Sequence, residues 1–214
     1  LWEFDQVANK ADLDETFFNA RLGRMIRYFQ NLTTSFDIMT DGMEREQFLA
    51  FRMSLLPASG FQSAQYRLIE LRSTDLVNLV DPDSRPALAG KSLEAQMEKL
   101  YWRSGATELA SGKKTLTLRQ FEEKYMADFL ETAKANTDRN LLSIYKRQFE
   151  GRPEVIRHLR EFDALANVFW PLSHMKSAAR YLKKDPEDIK ATGGTNWQKY
   201  LPPRFQKIHF FPTL

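Results

Sequence analysis

Apolar side chains in this chain recur at the helical period almost from end to end, and no stretch alternates as a strand would. Between about Asp14 and Met39 they fall at Phe18, Leu22, Met25, Ile26, Phe29, Leu32 and Phe36, a spacing that gathers them on one stripe of a helix. Asp14 and Glu15 stand where the positive end of the helix dipole favours acids, and Asp41-Gly42 breaks the pattern. A second helix is predicted over Met43 to Leu56, stopped by Pro57, and a third over about Phe61 to Val80, ended by the turn Asp81-Pro82-Asp83. Ser92 to Arg103 reads as helical, and Ser111 to Thr115 as a polar loop. Thr117 to Gln120 has capping-box spacing and opens a helix reaching about Ala135; Leu141 to Phe149 is short and ends at Gly151. Glu154 to Lys183 carries a long helical pattern that Pro171 should kink or divide, and Asp185-Pro186-Glu187 starts one further short turn. From Thr192 onward the sequence is irregular. The expectation is an all-α helical bundle in one domain, residues 1–214.

Composition excludes several classes. The 214 residues are 43% hydrophobic and 28% charged, the balance of a soluble globular chain. Lys plus Arg number 31 against 28 Asp plus Glu, and the two signs alternate, so nucleic acid and anionic membrane are not expected partners. No apolar run approaches the ~20 residues of a membrane span, and no secretory core stands near Leu1. The absence of cysteine excludes disulfides, thiolate metal sites and thiol nucleophiles, and with no signal segment it favours the cytoplasm. A start at Leu rather than Met suggests that the true N-terminus lies upstream. Sixteen Phe, four Trp and seven Tyr suit a core, and equally a pocket for a flat aromatic ligand.

Four features could carry chemistry. Phe48, Arg52 and Leu55 share one face of the second helix. A guanidinium between apolar neighbours needs an acceptor: a ligand carboxylate, an acid such as Glu46 or Glu70, or solvent reached by snorkelling. The junction Pro57 to Ser63 ends one helix and caps the next. There Ser59 and Gly60 allow close backbone approach to an anionic group, with Arg67 within two turns, although a plain helix connection has the same form. Thr192-Gly193-Gly194-Thr195 could form an amide nest for a carboxylate or phosphate, or an ordinary loop, and it is no Walker motif. His174 is the fourth. With three histidines so far apart, a poly-histidine metal centre is not expected. Ser177, Ala178 and Ala179 put small side chains one turn beyond His174, leaving room for a large flat group, and haem is the cofactor that brings its own equatorial ligands. A buried, hydrogen-bonded core histidine has the same sequence appearance.

Taken together, Gln47 to Leu71 (QFLAFRMSLLPASGFQSAQYRLIEL), Trp170 to Leu182 (WPLSHMKSAARYL) and Ala191 to Leu201 (ATGGTNWQKYL) resemble the tryptophan 2,3-dioxygenase family of haem enzymes. The similarity covers roughly residues 14 to 80 and 155 to 200. It implies a haem-binding all-α fold with His174 as the proximal iron ligand and haem b as cofactor. It implies that Arg52 binds the amino-acid carboxylate, that Phe48 and Leu55 line the substrate pocket, and that Thr192, with Gly193 beside it, contacts the substrate's charged end. Ser59 and Gly60 fall where the family's helix junction meets the haem, and Arg67 matches a propionate partner. The implied reaction adds O2 across the indole C2–C3 bond of L-tryptophan to give N-formylkynurenine, in a homotetramer whose N-terminal helices complete a neighbour's pocket.

The chain departs from the family pattern twice. The family's distal histidine lies in a segment resembling HQ..ELW; here the chain opens at Leu1-Trp2, which matches the end of that segment, and no histidine precedes His158. Either the segment lies upstream of this sequence or this member works without the residue. The stretch from His174 to Thr192 is a few residues longer than usual because of Lys184 to Glu187. The competing expectations are a haem enzyme of the same superfamily acting on another aromatic or indole substrate, a non-catalytic haem-binding protein, and an all-α interaction protein.

Overall fold

In a computed structural model of the chain, the residues described are 1–54, 62–104, 113–182 and 208–214. They form α-helices joined by turns, with no strand beyond an isolated antiparallel bridge between Val80 and Leu100. In chain order the helices are α1 (Trp2–Ala8), α2 (Glu15–Gly42), α3 (Arg45–Ser54), α4 (Ala64–Ser73), α5 (Arg85–Leu88), α6 (Leu93–Met97), α7 (Tyr101–Ser104), α8 (Leu116–Ala135), α9 (Leu141–Ile144), α10 (Pro153–Ala164) and α11 (Trp170–Tyr181).

The longest helix, α2, begins as its sequence indicates: the Asp14 carboxylate accepts from the Phe17 N–H at 2.7 Å, capping a free amide. Phe18, Leu22, Met25, Ile26 and Phe29 are buried. Beyond Phe29 the stripe leaves the core. Leu32 is exposed, and Phe36 is only half-buried, against α11. Asp41-Gly42 ends the helix as expected.

Three expected helices are divided. The one predicted over Phe61 to Val80 stops at Ser73, where the Thr74 hydroxyl donates to the Phe210 carbonyl and accepts from the Asn78 side chain at 2.8 Å. These tertiary bonds hold Thr74 extended, and the chain resumes only as a 3₁₀ turn, Leu76–Leu79. The segment Ser92 to Arg103 becomes α6 and α7, parted where the Asp81 N–H donates to the Lys99 carbonyl at 2.8 Å. The third division follows α10. A π-helical turn, Leu165–Phe169, separates it from α11 immediately before Pro171. Proline has no N–H to give the carbonyl four residues back and its ring crowds that carbonyl, and a widened turn relieves both problems. The capping residue of α8 also differs from expectation. Thr115, not Thr117, accepts from the N–H three residues on.

One apolar cluster joins α1, α2, α4 and α6 to α10, with Phe4, Phe29 and Phe162 meeting edge to face. The C-terminal residues 208–214 close it, burying Ile208, Phe210 and Phe211. α11 packs on the C-terminal half of α2 and on α3, so the sequence's candidate residues on α3 and α11 share one end of the bundle.

Candidate functional site around His174

α11 leaves the π turn with Trp170 first and Pro171 in its first turn, and His174 follows one turn later. The His174 ring is half-buried, 4.5 Å between centroids from Phe36 and 4.6 Å edge-on from Trp170; Phe36 and Trp170 are themselves perpendicular at 5.1 Å. Its Nδ1 lies 3.0 Å from the Trp170 carbonyl oxygen. A carbonyl only accepts, so Nδ1 carries the proton and the lone pair sits on Nε2. Fixing one nitrogen through a backbone carbonyl is how a metal-binding imidazole is oriented and its basicity raised.

The neighbouring side chains are small, as the sequence indicates. Ser177 is buried and Ala178 half-buried one turn beyond His174. The Ser177 and Ser173 hydroxyls donate to the carbonyls of Ser173 and Phe169, at 3.1 and 3.0 Å. Their polarity is thus satisfied within the helix, and they present little more than a methyl-sized surface. A half-buried imidazole oriented through Nδ1 and flanked by small side chains is of the kind that could hold a haem iron. Among the described residues no group of three or more His, Cys, Asp or Glu is placed to hold a metal ion by itself.

The substrate stripe expected on α3 lies next to this helix. Phe48 stacks on Tyr181 at 4.1 Å and 13°, and Arg52 stands half-buried one turn further along α3. Glu70, one of the acids the sequence offers as a partner for Arg52, is committed elsewhere. It pairs with Arg67 at 2.8 Å and accepts from the Tyr101 hydroxyl. Arg67 is 2% exposed, also donates to the Tyr101 oxygen at 3.1 Å, and is stacked by Tyr66 and Trp102. A cofactor carboxylate at Arg67 would therefore compete with Glu70. Leu55, Ser59, Gly60, Thr192 and Gly193 lie outside the described residues.

Sequence reasoning gave no role to three residues at this end of the bundle: Phe36, Trp170 and Tyr181. Tyr181 could have been found, because it follows His174 by seven residues and so shares its helix face. Phe36 was visible only as the last apolar position of α2. No spacing rule links it to His174 across 138 residues.

Comparison with known proteins bears on the same elements. The family model described as tryptophan 2,3-dioxygenase matches residues 1–81, which contain α1 to α4. A protein named tryptophan 2,3-dioxygenase from Bradyrhizobium diazoefficiens is 28% identical, over 90% of this chain and 67% of its own length.

Proposed function

We propose, from the premise that this chain belongs to the tryptophan 2,3-dioxygenase family and is an oxidoreductase, that it inserts both atoms of O2 across the indole C2–C3 bond of L-tryptophan, giving N-formylkynurenine with haem b as cofactor. The observation carrying this reading is the His174 ring, with its proton held on Nδ1 by the Trp170 carbonyl and its helix packed on the one bearing Phe48 and Arg52. Haem would supply the oxygen-activating iron, and the chain's own part is binding and orientation. His174 would hold the haem iron through Nε2. The Arg52 guanidinium takes the substrate carboxylate in a two-pronged ion pair, while Phe48 packs against the indole. Leu55, Thr192 and Gly193 complete the substrate contacts, and Ser59, Gly60 and Arg67 the haem contacts, by resemblance to the family. The assembly is a homotetramer, a reading supported by large apolar side chains left exposed on α2 and α3, among them Leu32, Ile38 (74% exposed) and Phe51. None of the described helices is long and apolar enough to cross a membrane.

Three measurements test the reading. Haem-loaded protein should show a Soret band typical of histidine ligation, and His174→Ala should lose it. Incubation with L-tryptophan, ascorbate and air should give the absorbance of N-formylkynurenine. Arg52→Ala should raise KM for tryptophan by roughly 10- to 100-fold, the loss of a charge-assisted pair. A His174→Ala protein with unchanged ligation would refute the ligand assignment. An active-site haem with no product from tryptophan would refute the substrate.

A further inference from the structure

Tyr181 ends α11 on the same face as His174, two helical turns or about 10 Å along the axis. Its hydroxyl lies 3.1, 2.8 and 3.0 Å from the carbonyl oxygens of Met39, Thr40 and Met43. Met39 and Thr40 are in the last turn of α2 and Met43 is its C-cap, where helix carbonyls have no intrahelical donor. The single phenolic proton thus serves the end of α2. The backbone of Tyr181 is held in turn: its carbonyl, at the end of α11, accepts from Arg45 Nε at 3.1 Å, and Arg45 is the first residue of α3. Its ring completes the set by stacking on Phe48. Three helix ends therefore meet at one residue that is 2% exposed.

We propose that Tyr181 is a positioning residue that fixes the substrate helix α3 against the iron-ligand helix α11, so that occupation of the Arg52 stripe is transmitted to His174. The proposal rests on the functional reading above and assigns Tyr181 no contact with substrate or haem. The physical ground is that Phe48 and Arg52 lie one turn apart on α3, while Tyr181 and His174 lie two turns apart on α11. A shift of α3 at the Phe48–Tyr181 stack must then be taken up by α11 or break the three-carbonyl cap.

The test uses haem-loaded protein with two variants. Tyr181→Phe keeps the ring stack and removes the hydroxyl; Tyr181→Leu removes both. The readouts are KM and kcat for L-tryptophan and the shift of the Soret band on adding tryptophan without O2. Tyr181→Phe is expected to raise KM about 5-fold, the scale of one lost buried hydrogen bond, with kcat within about twofold. Tyr181→Leu is expected to raise KM further and to abolish most of the tryptophan-induced Soret shift, with the histidine-ligated band itself retained. Folded variants with wild-type KM and a wild-type shift would overturn the proposal. So would variants whose thermal stability falls while KM and the shift stay put, since Tyr181 would then hold the fold and nothing more. Failure of the functional reading looks different: wild-type protein itself would lack the histidine-ligated band or the response to tryptophan.

Discussion

Arg67 and Glu70 put two full charges one turn apart in a place almost closed to water, at 2% and 1% exposure. Such a pair seldom stabilises a fold as much as apolar side chains of similar volume would, but removing one member strands the other in the core. Tyr101 lessens the cost by donating to Glu70 and accepting from Arg67, and the faces of Tyr66 and Trp102 cover the guanidinium. Glu70→Leu alone is therefore expected to lower the unfolding free energy by roughly 3–5 kcal/mol, seen as a lower urea midpoint at unchanged slope. The double variant Arg67→Met with Glu70→Leu should recover most of that loss. The same double variant probes the role that family resemblance gives Arg67: if a haem propionate used this guanidinium, haem affinity would fall although stability had recovered.

At the scale of elements, the rotational setting of His174 depends on the π turn that precedes it. Each residue turns an α-helix by about 100°, so the extra residue carried by Leu165–Phe169 decides which face of α11 looks at α2. Pro171→Ala should let the segment close into regular helix at unchanged length and so swing His174 away from Phe36. The expected result is near-native helical circular dichroism with loss of the histidine-ligated Soret band; retention of normal ligation would show that the π turn does not set the face. This element also marks how far the sequence was legible. Pro171 announced a disturbance between residues 154 and 183, because a missing N–H is a local fact. A π turn, as opposed to a kink, was chosen by packing on α2 that no local pattern encodes. The same division holds elsewhere. Asp14 capped α2 and Gly42 ended it as their chemistry indicates, whereas the break at Thr74 came from Phe210, 136 residues away. Within the site, His174 and the Phe48–Arg52 stripe were marked by resemblance to the family, since their spacing alone equally suits a packed histidine and a snorkelling arginine. The Phe36–Trp170 enclosure and the Tyr181 tie were not, because they arise between helices.

For the molecule as a whole, the C-terminal residues 208–214 act as a closing strap. Phe210 is fully buried 5.9 Å from Phe162 of α10; its carbonyl accepts from Thr74, and its N–H donates to the Asp163 carboxylate at 2.9 Å. Asp163 is itself 9% exposed and also accepts from Asn167 at 2.6 Å, so the strap supplies part of what makes a buried carboxylate tolerable. One residue therefore joins the break after α4 to the helix that leads into α11, its backbone bonded to Thr74 and Asp163 and its ring packed on Phe162. Phe210→Ala should cost about 3–5 kcal/mol, the range for emptying a phenylalanine site in a close-packed core. The neighbouring His209→Ala, at a residue nearly half exposed and 3.4 Å from Asp163, should change stability by no more than about 0.5 kcal/mol. Denaturant unfolding of the two variants side by side separates strap from surface. Haem titration of Phe210→Ala below its melting temperature then asks a second question. His174 stands on α11 one turn beyond the π turn and packs on Phe36 of α2, whereas the strap touches α10 and the break after α4, so a strap that only closes the core leaves haem affinity intact. An affinity that falls with the strap would mean that α10 and α11 move as one body through the π turn.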